Sequence, residues 1–166
     1  VGPVGDTPGR VVIVHAPSRP VYKGTEALNA AIERLRSEGL PIEYRLVRDT
    51  EHADAKRIYA TADIVVDQLM IGWYGVLAVE AMALGKPVIS HIRPDLERFA
   101  TEIPIVNANI DDVTDRLREL VLDEGRRHRL GHEGRRFVEE RHCADKIAER
   151  LIEIYQRPRR PVEQLD

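Results

Sequence analysis

Two stretches of the 166-residue chain combine residue types able to hold a charged ligand. The first, Ser18-Arg19-Pro-Val-Tyr-Lys23-Gly24-Thr25, lies between an apolar run and a helical pattern. A lysine and an arginine beside a helix N-terminus, with free backbone N–H groups and a glycine that permits close approach, suit a phosphate. The spacing is neither GxxxxGKS/T nor GxGxxG, so it forms no P-loop and no dinucleotide fingerprint. The alternative is a solvated basic pair in a loop. The second stretch runs from Asp67-Gln68 through Gly72-Trp-Tyr74-Gly75-Val76-Leu77 to Glu80. Val76, Leu77, Val79, Ala81, Met82 and Leu84 surround Glu80 with apolar side chains, which predicts a helix buried on all sides. A carboxylate in such a helix must find a partner or shift its pKa. Glu80 falls about one and a half turns, ~8 Å, from the helix start, and its side chain points back toward that start. It either pairs with an arginine and braces the core or reaches a ligand hydroxyl. The ligand reading is favoured, because carboxylates in apolar clefts mark functional sites.

Other reactive types carry less. His128-x3-His132 has the spacing of a metal pair but sits in an arginine-rich helix without a third ligand, so a solvated face is expected. Ser90-His91 with Asp95 is no triad, since neighbouring residues on a strand point to opposite faces. His91 and Arg93 follow a strand and stand at the rim of any crevice there, a minor place. Cys143 beside His142 reads as a packing residue at a helix boundary. The run Arg126-Arg127-His128-Arg129 with Arg135-Arg136 alternates with glutamates and reads as a charged helix face, with contact to a membrane surface as the alternative.

Short apolar strands alternating with helices must position these residues. Arg10–His15, Ile42–Val47, Ala62–Asp67, Pro87–Ile92 and Ile103–Val106 read as strands. Helical patterns follow from about Gly24 to Gly39, over Glu51–Tyr59, over Gly75–Leu84, after Asp112, over Gly125–Glu140 and over Ala144–Tyr155. This alternation predicts an α/β parallel sheet with right-handed crossovers. Ligands then lie beyond the carboxyl ends of the strands, so the segments after His15, Val47, Asp67 and Ile92 face the site. Residues 1–9 read as a flexible N-terminal segment and 157–166 as a C-terminal tail, leaving 10–156 as one domain. The net charge of −3 provides no bulk attraction for nucleic acid. One cysteine excludes an internal disulfide framework and a multi-cysteine zinc site. No apolar run approaches the ~18 residues needed to cross a bilayer, and nothing at the start reads as a signal peptide, so a cytoplasmic location is expected.

The stretch 62–91 resembles the donor-binding lobe of the GT-B glycosyltransferases, in particular the retaining family 4, whose motif has the form E-x-F-G-x-x-x-x-E-A-M-A. Ala62-Asp63 opens the strand, Tyr74-Gly75 takes the Phe-Gly place, and Glu80-Ala-Met-Ala83 closes the motif. Gly85-Lys-Pro-Val-Ile89 matches the strand that follows, and His15-Ala-Pro-Ser-Arg19-Pro-Val-Tyr-Lys23-Gly24 corresponds to the basic loop ending in Lys-Gly. The resemblance spans roughly residues 10–156. It implies a Rossmann-like, three-layer α/β/α lobe with a parallel sheet of about five or six strands. It further implies that Glu80 binds the ribose, that Lys23 and Arg19 bind the pyrophosphate, and that the N–H groups of Gly75, Val76 and Leu77 complete the phosphate cradle. The base, uracil or guanine, would meet backbone groups at Val47, Arg48 and Asp49. The family's first glutamate falls at Gly72, so its sugar-binding role passes to Asp67 or Gln68. No metal or cofactor is expected beyond the nucleotide-sugar donor. The acceptor domain would be a missing N-terminal lobe, the isolated lobe would be inactive, and peripheral contact with the inner face of a membrane fits the basic helix. A non-catalytic nucleotide-binding or regulatory lobe and a nucleotide-sugar epimerase are the alternative readings.

Overall fold

The computed structural model describes residues 9–99 and 102–156. The expected tail 157–166 and residues 1–8 of the expected N-terminal segment lie outside the described residues. The chain forms β1 (Val11–His15), α1 (Pro20–Lys23), α2 (Thr25–Ser37), β2 (Ile42–Leu46), α3 (His52–Ala60), β3 (Ile64–Val66), α4 (Val76–Ala83), β4 (Val88–Ser90), a 3-10 turn (Pro94–Phe99), β5 (Ile105–Asn107), α5 (Val113–Leu122), α6 (Glu124–Arg141) and α7 (Ala144–Gln156). The five strands pair in parallel in the order β2-β1-β3-β4-β5. This is a Rossmann-like α/β lobe.

The alternation of strand side chains explains the layers. Val11 and Ile13 of β1, with Ile64 and Val66 of β3 and Ile89 of β4, pack against α2 and α5 on one face. Val12, Val14, Val65 and Val88 pack against α3 and α4 on the other. All five residues of β1 are buried, as its unbroken apolar run requires. On the outer side of α4, α6 comes close through two glycines. A Cβ at Gly131 would collide with the Gly85 carbonyl oxygen, and one at Gly134 would lie 3.0 Å from Met82 Cγ.

Two expectations change. The loop after β1 contains a helical turn, α1, opened by Pro20 at its first position and closed by Gly24 at φ 72°. The helix around Glu80 is apolar throughout but not enclosed: Val76 is 75% exposed and Ala83 is open as well. Only Ala78, Ala81 and Met82 seat it on the sheet, because α3 and α6 flank α4 without covering its first turn. At the far end, α7 has no buried residue and leaves Leu151, Ile152, Ile154 and Tyr155 exposed.

Candidate functional site

The strand order reverses between β1 and β3, and in such sheets the ligand crevice lies beyond the carboxyl ends of the strands at that point. His15, the last residue of β1, closes its floor. Its Nδ1–H donates to the Val66 carbonyl at 2.8 Å, so Nε2 accepts from the Thr25 hydroxyl at 2.9 Å. Burial, opposed by that carbonyl contact, lowers the imidazole pKa to about 4. A neutral histidine thus ties β1, β3 and the first turn of α2 together.

The two loops above this floor are joined by an ion pair. Lys23 Nζ lies 2.6 Å from Asp67 Oδ1, with the side chains 12% and 0% exposed. The other oxygen, Asp67 Oδ2, accepts the Gly75 N–H at 2.6 Å. Leu69 N–H donates to the Lys23 carbonyl at 3.2 Å. Gly24, in left-handed geometry, is so close to Leu69 that a Cβ would stand 2.9 Å from the leucine Cβ. Lysine, aspartate and the N-terminus of α4 are therefore one unit. Of the N–H groups expected for the ligand, that of Gly75 is committed to Asp67. Those of Val76 and Leu77 belong to the first helical turn and have no intrahelical acceptor. Both oxygens of Asp67 are engaged within the loop, and the Gln68 side-chain amide donates to the Trp73 carbonyl, so both side chains shape the loop.

Glu80 is neither sealed in the core nor paired with an arginine. Its side chain is 20% exposed, with Oε1 2.6 Å from His52 Nε2 and 3.7 Å from Lys56 Nζ. His52 and Lys56 are four residues apart on α3, on the side facing α4. Burial, then the carboxylates of Glu80 and Asp67, push the Tyr59 hydroxyl up. The ion partner of Lys23 is thus Asp67, and Glu80 is met from α3.

A glutamate at position 72, as the motif implies, would strain the backbone and displace the Arg93 side chain. The φ of Gly72 is 88°, and a Cβ would overlap Arg93 Cγ and stand 2.6 Å from Cδ. The aliphatic stem of Arg93 fills that space. Tyr74 turns outward from the loop, its hydroxyl 3.2 Å from His142 Nε2 and its ring edge-on to Phe137 and His142. Beyond β2, Val47 is buried and bonded to the His15 carbonyl, while Arg48 and Asp49 are exposed, Asp49 with φ 50°. Arg19 is exposed at the N-cap of α1. Lys86, inside the matched Gly-Lys-Pro phrase, is buried, and Nζ donates to the Ala62 carbonyl at 2.7 Å.

The histidine pair and the charged run expected to be bland lie on α6. His128 and His132 are exposed on α6, and among the described residues no three His, Cys, Asp or Glu side chains gather as a metal set. Arg126 and Arg135 pair with Glu119 and Glu139, which makes α6 a mixed-charge face. Asp95 pairs with Arg93, not with His91. No helix among the described residues is long and apolar enough to cross a membrane.

Residues 25–153 match the family described as glycosyl transferase-like, a span that includes α2, the loop after β3, α4 and all later elements to α7. The chain belongs to that family. An uncharacterised glycosyltransferase of Methanocaldococcus jannaschii is 28% identical over 104 residues, which cover 60% of this chain and 27% of that protein. Among solved structures, a TarM variant of S. aureus in complex with fondaparinux, alpha-GlcNAc-glycerol and UDP superposes with TM-score 0.69 at 15% identity. It covers 90% of this chain and 36% of TarM. The C-terminal domain of a group 1 glycosyl transferase from Francisella tularensis gives TM-score 0.57 at 16% identity, over 86% of this chain and 89% of that one. The glycosyltransferase resemblance and the parallel α/β lobe of GT-B type are thus borne out. The chain spans about a quarter of the curated relative and about a third of TarM.

Local patterns singled out the loops after β1 and β3, Gly24 and Glu80, but not the contacts of His15 with Thr25 or of Glu80 with His52 and Lys56. A histidine ending a buried strand and two basic residues one turn apart on α3 were the available signals.

Proposed function

We propose that this lobe binds the nucleotide-sugar donor of a retaining, two-lobed hexosyltransferase. One observation carries the reading: the crevice at the strand-order reversal gathers a lysine, the open first turn of an apolar helix and a carboxylate three residues beyond Leu77. A diphosphate suits Lys23 and the N–H groups of Val76 and Leu77, where a cation and a helix dipole favour negative charge. Arg19 stands on the outer side of the same loop. Glu80, held by His52 and Lys56, is the acceptor for ribose hydroxyls, and the loop Val47-Arg48-Asp49 lies on the β2 side for the base. The donor is a UDP- or GDP-sugar.

In the transfer, the bond between the anomeric carbon and the β-phosphate oxygen breaks, the acceptor oxygen bonds to the anomeric carbon, and its proton passes to the departing diphosphate. Negative charge grows on the departing diphosphate. A fixed cation and fixed N–H dipoles lower that barrier, and removal of one such group typically costs about 100–1000-fold in rate. No cofactor or metal is assigned to this step. The acceptor lobe is the N-terminal half of the longer protein, so the isolated chain binds donor without turnover. The protein works in the cytoplasm, with the mixed-charge α6 as the element nearest a membrane face.

A non-catalytic nucleotide-binding lobe is the second reading, favoured by one observation: the position of the motif's first glutamate is filled by the stem of Arg93. Calorimetric titration with UDP, GDP and their hexose derivatives tests binding. A transfer or donor-hydrolysis assay on the longer protein separates the readings: turnover supports the enzyme, and binding without turnover supports the regulatory lobe. Absence of nucleotide binding by the chain would overturn both.

A further inference from the structure

The loop after β4 is built to hold one arginine at the carboxyl edge of the sheet. His91 N–H donates to the Gln68 carbonyl at 2.7 Å, and Arg93 N–H to the Gly72 carbonyl at 3.0 Å. The Asn107 side chain brackets Ile92, accepting its N–H at 2.8 Å and donating to its carbonyl at 3.0 Å. The arginine stem then lies in the space left by Gly72, whose positive φ and missing Cβ are both needed for that approach. Asp95 holds the guanidinium in a two-point contact, Nε to Oδ1 at 3.0 Å and Nη2 to Oδ2 at 2.8 Å. Those contacts leave Nη1 without a share in the Asp95 pair. The side chain is 54% exposed, so its outer edge meets solvent. The pinned backbone and the two-point contact with Asp95, itself 63% exposed, orient this group at the surface.

Its place in the sheet says what it would meet. With the diphosphate over β1 and β3 and the base toward β2, the other end of an extended donor runs toward β4. That direction rests on the function proposed above. Arg93 and Asp95 stand there, offering N–H donors beside a carboxylate, the complement of a pyranose edge with its alternating hydroxyl donors and acceptors.

We infer that Arg93, its stem packed over Gly72 and its guanidinium oriented by Asp95, is a sugar-recognition residue of this lobe. It acts on the hexose part of the donor and leaves the nucleoside diphosphate to the crevice. Arg93→Met keeps the aliphatic stem over Gly72 and removes only the guanidinium. Calorimetry on the chain would compare UDP and GDP with UDP-glucose, UDP-N-acetylglucosamine and GDP-mannose. The expected result is that the tightest-binding sugar nucleotide loses about tenfold in affinity on Arg93→Met, while the matching nucleoside diphosphate stays within twofold. Asp95→Asn, which loosens the clamp and leaves the charge, should give a smaller loss of the same selectivity. A merely structural Arg93 would weaken both ligands together, and that result would overturn the assignment. So would a sugar-nucleotide affinity that Arg93→Met leaves unchanged. If the unmutated chain binds no nucleotide at all, the function and this assignment fall together. If nucleotides bind and only the sugar selectivity is indifferent to Arg93, this assignment falls alone.

Discussion

Replacing Lys23 by methionine separates its ligand role from its structural one. Asp67 is fully buried, and Lys23 is its partner at 2.6 Å. Removing one member of a buried pair strands the other charge, a loss of about 3–5 kcal/mol. Asp67 keeps the Gly75 N–H and Lys23 retains a little solvent, so the low end applies, about 3 kcal/mol. In a chain of this size that lowers Tm by roughly 6–12 °C. The double variant Lys23→Met, Asp67→Asn leaves a neutral amide facing an apolar stem and should recover about 2 kcal/mol of the loss. Urea denaturation of wild type, both single variants and the double variant gives the coupling directly. The stabilised double variant should still fail to bind nucleoside diphosphate, since the cation is gone. A Lys23→Met cost below about 1 kcal/mol, the range of exposed pairs, or additive single and double losses, would refute the coupled-loop reasoning.

Other expectations follow from the same geometry. Gly72→Glu, which restores the motif's carboxylate, should destabilise the chain by about 2 kcal/mol or more through its left-handed backbone and the displaced Arg93 stem, and should not improve donor binding, as chemical denaturation and calorimetry would show. Burial lowers the His15 pKa from the ordinary 6.5 to about 4 in the folded chain. Its contribution is therefore intact above about pH 6.5 and falls by about 3 kcal/mol as pH drops to about 4. His15→Gln should remove that portion of the slope in denaturation curves measured across this range. Glu80→Gln should weaken nucleoside diphosphate binding about tenfold while leaving pyrophosphate binding unchanged, because only the ribose contact is lost, and competition titration checks it.

The sequence was most readable where local pattern and tertiary environment agree. The unbroken apolar run at Val11–Val14 made β1 a buried strand, and the 3–4 spacing of Leu28, Ala31, Ile32 and Leu35 made α2 an amphipathic helix. The crevice loops could be ranked because in a parallel sheet they all lie on one side. What could not be read were pairings across long separations. Asp67 answers Lys23 from 44 residues away, and Glu80 is met by His52 from 28. Neither pairing leaves a periodic trace. Gly72 looked like a missing carboxylate because composition records the residue absent from the motif and not the Arg93 stem that fills its space. The exposure of Val76 was missed for a similar reason. The apolar pattern of α4 reports its own side chains, whereas its burial depends on how far α3 and α6 extend along it.

The central question is whether a nucleoside diphosphate binds at the carboxyl ends of β1 and β3. Amide NMR of the ¹⁵N-labelled chain titrated with UDP and with GDP tests this most directly. One of them is expected to shift the backbone signals of Lys23, Gly24, Val76, Leu77 and Glu80, with smaller changes at Arg48 and Asp49. Shifts confined to α6 or α7, or no shifts at saturating nucleotide, would contradict that expectation.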